Sequence, residues 1–149
     1  VVGGDYSMII NDVVNHVSKA LSENFPKHKI YKEAVKQGSK MPCFFVICTN
    51  FSDECYRGSR YRVRVDIGVY YYPENTDNMQ TEVNSLIPGI YKALEYVPLD
   101  DRVMRGVDRK VENMEDCICF NVAFEHFYIR ENPVDNMERL SIKEVNVNG

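Results

Sequence analysis

Residues 60–73 read RYRVRVDIGVYYYP. Val63, Val65, Ile67 and Val69 take every second position, and Arg60, Arg62 and Arg64 alternate with them. A period of two is the side-chain period of a β-strand with one face in a core. The stretch is therefore a strand, with valines inward and arginines outward. Tyr70 and Tyr72 fall on the arginine face, and Tyr71 points with the valines.

On the N-terminal side, CFFVICTN (43–50) places Cys43, Phe45 and Ile47 on one face and Phe44, Val46 and Cys48 on the other. Both faces are apolar, which predicts a central strand covered on both sides. QGSKMP (37–42) turns the chain before it, and FSDECYRGS (51–59) is expected to form a polar turn after it. A short strand is expected in HKIYKEAV (28–35). Residues 9–25 predict a helix, because Ile10, Val13, Val14, Val17, Ala20 and Leu21 recur at three- and four-residue steps.

On the C-terminal side, Met79, Val83, Leu86, Ile87, Ile90 and Leu94 form a second helical stripe, with Asn75, Thr76 or Asp77 as N-cap. Pro88 and Gly89 lie inside it. An interior proline costs about 3 kcal/mol relative to alanine, so a kink or a break is expected there. RVMRGVDRKV (102–111) alternates, with Val103, Val107 and Val111 sharing a face with Arg105 and Arg109. CICFNVAFEHFYIR (117–130) returns as a strand whose apolar face is Ile118, Phe120, Val122, Phe124 and Tyr128. The order is α-β-β-β-α-β-β plus an extension. It predicts a single α+β domain, an antiparallel or mixed sheet with two main helices packed on one face. Residues 1–7 are read as a leader without weight in the fold, because the helix pattern starts near Met8. Residues 8–133 then form the domain, and 134–149 a C-terminal extension, an arm or edge strand.

Composition narrows the function. The chain has 149 residues, 44% hydrophobic and 27% charged, enough to bury one core and too apolar for disorder. Its net charge of −4 gives no global field toward nucleic acid or an anionic membrane. It contains no Gly-rich phosphate loop, no HExxH, no GxSxG and no Asp-Gly calcium loop. The five cysteines are odd in number, and the only close pair is Cys117–Cys119, so buried thiols are expected rather than zinc. Among the histidines, His16 lies on the polar side of the first helix and His28 near a strand start. His126 lies on an apolar strand face without a partner motif. The acidic pairs Asp53-Glu54, Asp100-Asp101 and Glu115-Asp116 are all expected in turns. No catalytic residue, metal ligand or cofactor site is predicted.

The arginines are the informative feature. Arg57, Arg60, Arg62, Arg64, Arg102, Arg105 and Arg109, seven of the nine, belong to segments 57–64 and 102–109. Arg60 and Arg64 would lie about 13 Å apart on a strand. Arginine beside tyrosine is enriched at protein–protein contacts. It is also the composition of a single-stranded nucleic-acid platform. Interleaved Asp66 and Asp108 and the acidic balance favour contacts between subunits over nucleic acid. The interface candidates are Arg57, Arg60, Arg62, Arg64, Tyr70, Tyr72, Arg105 and Arg109.

MIINDVVNHVSKALSENFP (8–26) followed by KIYKEAVKQGSKMPCFFVICTN (29–50) resembles the start of small tail proteins of Gram-positive prophages, the phage tail terminator-like or minor tail family. The resemblance continues through RYRVRVDIGVYYYP, ALEYV, RVMRGVDRKVE and FNVAFEHFYIRE. Its best markers are Gln37-Gly38, the run Pro42 to Phe45, and Arg105-Gly106; Pro88 departs from it. It implies a structural protein without enzymatic activity or cofactor, forming a ring, six-fold by expectation, on the end of a finished tail tube. The implied partners are further copies, the tube protein and head–tail connector proteins, with no membrane, and with DNA only as a passenger through the ring. The implied locations are the bacterial cytoplasm during assembly and then the virion tail. The alternatives are a small nucleic-acid-binding domain or another protein of the head–tail neck.

Overall fold

The computed structural model describes residues 6–33, 38–74 and 76–129. Two helices and six strands follow in the order α1 (Tyr6–Asn24), β1 (Lys29–Tyr31), β2 (Cys43–Arg57), β3 (Arg60–Tyr72), α2 (Met79–Ala93), β4 (Tyr96–Pro98), β5 (Val103–Asn113) and β6 (Ile118–Ile129). The spatial order is β1-β2-β3-β6-β5-β4. Only β1 and β2 run parallel, so the sheet is mixed, and both helices lie on one face. This is the predicted α+β architecture, with β4 as an added short edge strand.

The valines of β3 place the core. Val63, Val65, Ile67, Val69 and Tyr71 are all buried, opposite His126, Phe124, Val122, Phe120 and Ile118 of β6 in turn. Helix α1 closes over them through Ile9, Val13, Val17, Ala20 and Leu21. Its inward stripe thus uses Ile9 where the periodicity pointed to Ile10. The helix also starts at Tyr6, upstream of the expected boundary. The Tyr6 ring packs on Phe51 and Tyr128, at centroid distances of 4.9 and 5.5 Å, and its hydroxyl donates to Asp53. Tyr6 and Ser7, read as leader, therefore belong to the folded helix.

Three further expectations need correction. Helix α2 is not broken at Pro88: it runs unbroken from Met79 to Ala93 after a single 3-10 turn, Thr76–Asn78. Its N-cap position is Asn78, without a side-chain cap hydrogen bond, rather than Asn75, Thr76 or Asp77. Pro88 lies on the exposed side, while Val83, Ile90 and Ala93 bury the opposite one. That burial offsets the lost backbone hydrogen bond. Segment 51–57 is not a turn either. It continues β2 as far as Arg57, paired with β3, and the chain reverses at Gly58, which has φ +57°. Polar residues fit a strand here because this end of the hairpin is exposed. Asp53 and Glu54 consequently sit on a strand. Finally, β2 is second from the edge rather than central, since β1 pairs only with Cys43 to Phe45.

The fourth correction concerns β5. Val107 is opposite Ala123 and Lys110 opposite Asn121, so two residues, Asp108 and Arg109, occupy the space of one. Asp108 has φ +53°, in the left-handed region that Asp tolerates better than most side chains. The bulge reverses inward and outward for everything after it. Val111 therefore packs against the core while Val107 faces the other way.

Candidate assembly interface on the helix-free face

The face of the sheet opposite the helices carries most of the predicted interface residues. Alternation along β3 and register with β2 and β6 place Arg60, Arg62, Arg64, Tyr70 and Tyr72 there. The face divides into three zones along the strands.

At one end, Tyr70 stacks near Phe45, with centroids 5.8 Å apart, and lies opposite Cys119. Tyr72 lies opposite Cys43. The thiols of Cys43, Cys117 and Cys119 are free and buried as expected, whereas Cys48 is half-buried and Cys55 is exposed on the outer part of β2, against that expectation. Burial pushes the three buried thiols up, and likewise the phenols of Tyr70 and Tyr72. Protonated thiols are poor nucleophiles and poor metal ligands.

In the middle, Arg64 is surrounded. Its Nη1 donates to Asp108 Oδ2 at 2.8 Å and to Glu125 Oε1 at 3.3 Å, and its Nε donates to Asp66 Oδ1 at 3.0 Å. These carboxylates come from three strands, and the hydrogen bond to Asp108 above all raises the guanidinium's pKa. An open cleft of about 620 Å³ runs beside the network, lined by Asp66, Asp108, Lys110, Glu112 and Asn121. Both signs of charge alternate along it, which is no track for a polyanion.

At the hairpin end, Arg62 Nη2 donates to Glu54 Oε2 at 2.6 Å across the β2–β3 pair. Tyr56 meets Phe127 edge-on, with centroids 5.1 Å apart, and both remain exposed, as does Ile129. Sequence reasoning missed this apolar group. Its signal was available, since Phe127 and Ile129 fall off the apolar face of β6 in the same alternation. Among the described residues no carboxylate pairs with Arg57 or Arg60 beside it.

The remaining candidates lie elsewhere. Arg105 is exposed opposite Tyr96 at the other side of the sheet. Arg109 lies over the Tyr91 ring at 4.9 Å and donates to the Tyr91 carbonyl at 2.7 Å, while the Tyr91 hydroxyl donates to the Arg109 carbonyl. It clamps α2 onto β5. Among the described residues the seven arginines therefore divide three ways: Arg62 and Arg64 pair with local carboxylates, Arg102 donates to the Phe127 carbonyl as Arg109 does to that of Tyr91, and Arg57, Arg60 and Arg105 are exposed with no carboxylate partner.

The histidines form no catalytic set. His16, expected to be solvated, packs between Asp12 and Asp100: Nδ1 lies 3.3 Å from one carboxylate and Nε2 3.5 Å from the other. The three could converge on a cation, but Nδ1 is already within 2.7 Å of the Asp12 carbonyl oxygen. That geometry sets His16 as a polar link between α1 and the β4–β5 turn. His126 faces a cavity of about 220 Å³ between α1 and that turn. His28 sits among Phe25, Phe44 and Tyr71.

Burial holds His28 and His126 below the usual imidazole range. Between the folded and unfolded values the unfolded chain binds more protons, so stability rises with pH there. Stability from these groups is complete above about pH 6.5 and is lost as pH falls toward the folded values. The thermal midpoint is expected to drop from about pH 7 to pH 5, and less so in a His28→Asn/His126→Asn variant. Equal slopes in both proteins would assign the acid sensitivity to carboxylates instead.

Among the described residues no helix is long and apolar enough to cross a membrane. What remains, among the described residues, is an α+β domain with one sheet face under helices and the other free of them. The chain matches the family model described as phage tail terminator protein over residues 12–136, and it belongs to that family, a structural component of phage tails. No curated protein matches it. One solved structure is similar at 9% identity and a TM-score of 0.40, covering 88% of this chain and 99% of that one.

Proposed function

We propose that the protein forms a closed ring, six-fold by analogy of role, that caps the tail tube, stops its growth and presents a surface for head joining. Its partners in this reading are identical copies, the tube protein and a head–tail connector, met in the bacterial cytoplasm before incorporation into the tail. The observation that carries it is the family membership of a chain whose sheet face is polar and whose hairpin-end arginines have no carboxylate partner among the described residues. A closed ring needs two different surfaces of each subunit to meet. The exposed group Tyr56, Phe127 and Ile129, flanked by Arg57 and Arg60, has the apolar centre and cationic rim of such a surface.

Arg64 is a poor probe of this interface, because its reversal would set four carboxylates together within one subunit. Arg57→Glu/Arg60→Glu is the clean variant. It should weaken self-association by about ten- to a hundredfold, the usual cost of mispaired interface charges, with its melting curve unchanged. Light scattering and electron microscopy, with and without tube protein, read this directly. Unaltered assembly would remove these arginines from the interface. A native chain that stays a single subunit at high concentration with tube protein, and binds polynucleotide, would remove the ring.

A further inference from the structure

The two long margins of the sheet are treated differently. On the β5 side, the short β4 covers Val103 to Arg105, the Asp108 bulge distorts the edge, and the Tyr91 hydroxyl takes the Arg109 carbonyl. On the β2 side, β1 ends at Tyr31, opposite Phe45. From Val46 to Arg57 no strand pairs with that margin among the described residues. A long open edge is a template for another strand, and proteins seldom leave one uncovered without a use.

The chain carries a suitable strand. Twenty residues follow Ile129, and within them LSIKEVNV (140–147) sets Leu140 and Ile142, then Val145 and Val147, at alternate positions in a polar stretch. The β2 edge offers Val46, Cys48 and Phe51 toward the helices and Ile47 on the other face. Lys143 of the segment suits the acidic Asp53 and Glu54 of the edge. The departure point is equally suitable. Ile129 lies opposite Arg60, at the hairpin end of the sheet, so the segment leaves from the rim where β2 finishes. Residues 130–139 can span at most about 33 Å, enough to reach an adjoining subunit.

We propose that residues 140–147 of one copy add as an extra strand along the Val46–Arg57 edge of the next. The inference rests on the ring reading above and names its contact. Donor segment and acceptor edge are different surfaces, so the exchange is head-to-tail, the relation that closes a ring.

The test is hydrogen exchange on the full chain and on its Ile142→Pro/Val145→Pro variant, with assembly state measured in parallel. Proline removes the amide donors of the added strand without touching the described elements. Slow exchange of β2 amides in the native assembly should quicken about tenfold or more in the variant, with β3 and β6 unchanged and the oligomer lost. Equal exchange and equal assembly would overturn the proposal and leave the ring standing. Protection that persists in dilute single subunits would overturn it too, by showing the segment folded onto its own edge. A native chain that never assembles would remove both readings.

Discussion

Replacing Gly106 with alanine is expected to destabilise the protein by about 3 kcal/mol, the upper range for forcing a group into a packed interior. A Cβ at this position would lie 2.3 Å from the carbonyl oxygen of Leu94 and 2.8 Å from Cγ2 of Val122. Val122 could turn; the carbonyl could not, because it belongs to the backbone leaving α2. The Gly106 amide also donates to the Glu95 carbonyl at 2.9 Å, so β5 cannot back away without breaking that bond. Gly106 is thus the point where the chain leaving the second helix is pressed against the sheet. Its place among the residues that mark the family resemblance acquires a physical reason. Urea unfolding would show the loss as a lower midpoint at constant slope. A midpoint within about 0.5 kcal/mol of the native one would mean the strand adjusts freely there.

The second expectation falls on the residue directly across. Phe124 of β6 is opposite Gly106 on one side and Val65 on the other, and it is fully buried. Phe124→Ala should cost about 3–5 kcal/mol, from lost apolar burial plus the cavity left between β3, β5 and the helices. Against a total of about 5–15 kcal/mol, either substitution would remove a large share of the stability. The two are expected to couple, since Gly106 and Phe124 are direct cross-strand partners. A double variant less unstable than the sum of the singles would verify that coupling. Strict additivity would show that Phe124 takes no part in constraining the glycine.

Much of this architecture was legible. The alternation of β3 needed only period two, and the inward face of β6 follows from the same pattern. Three of the five buried cysteines expected and the two helices were readable for the same reason: burial of a stripe is a local property of the chain. Errors arose where one residue changes the count. Asp108 inserts a bulge, and every face assignment after it inverts; nothing in VDRK announces that. Segment 51–57 looked like a turn because polar composition was read as a bend, although a paired strand at an exposed hairpin end tolerates polar residues equally well. Pro88 was expected to break α2, and packing of Val83, Ile90 and Ala93 keeps it whole.

The arginine row shows the boundary most clearly. Spacing alone established that Arg60, Arg62 and Arg64 share a strand face, because side-chain direction depends on nothing beyond the strand's own geometry. Which of them are available to a neighbour depended on carboxylates 2, 44 and 61 residues from Arg64, brought to it by β3, β5 and β6. Face and periodicity are written along the chain; charge pairing acts through space, over distances that only the folded sheet creates.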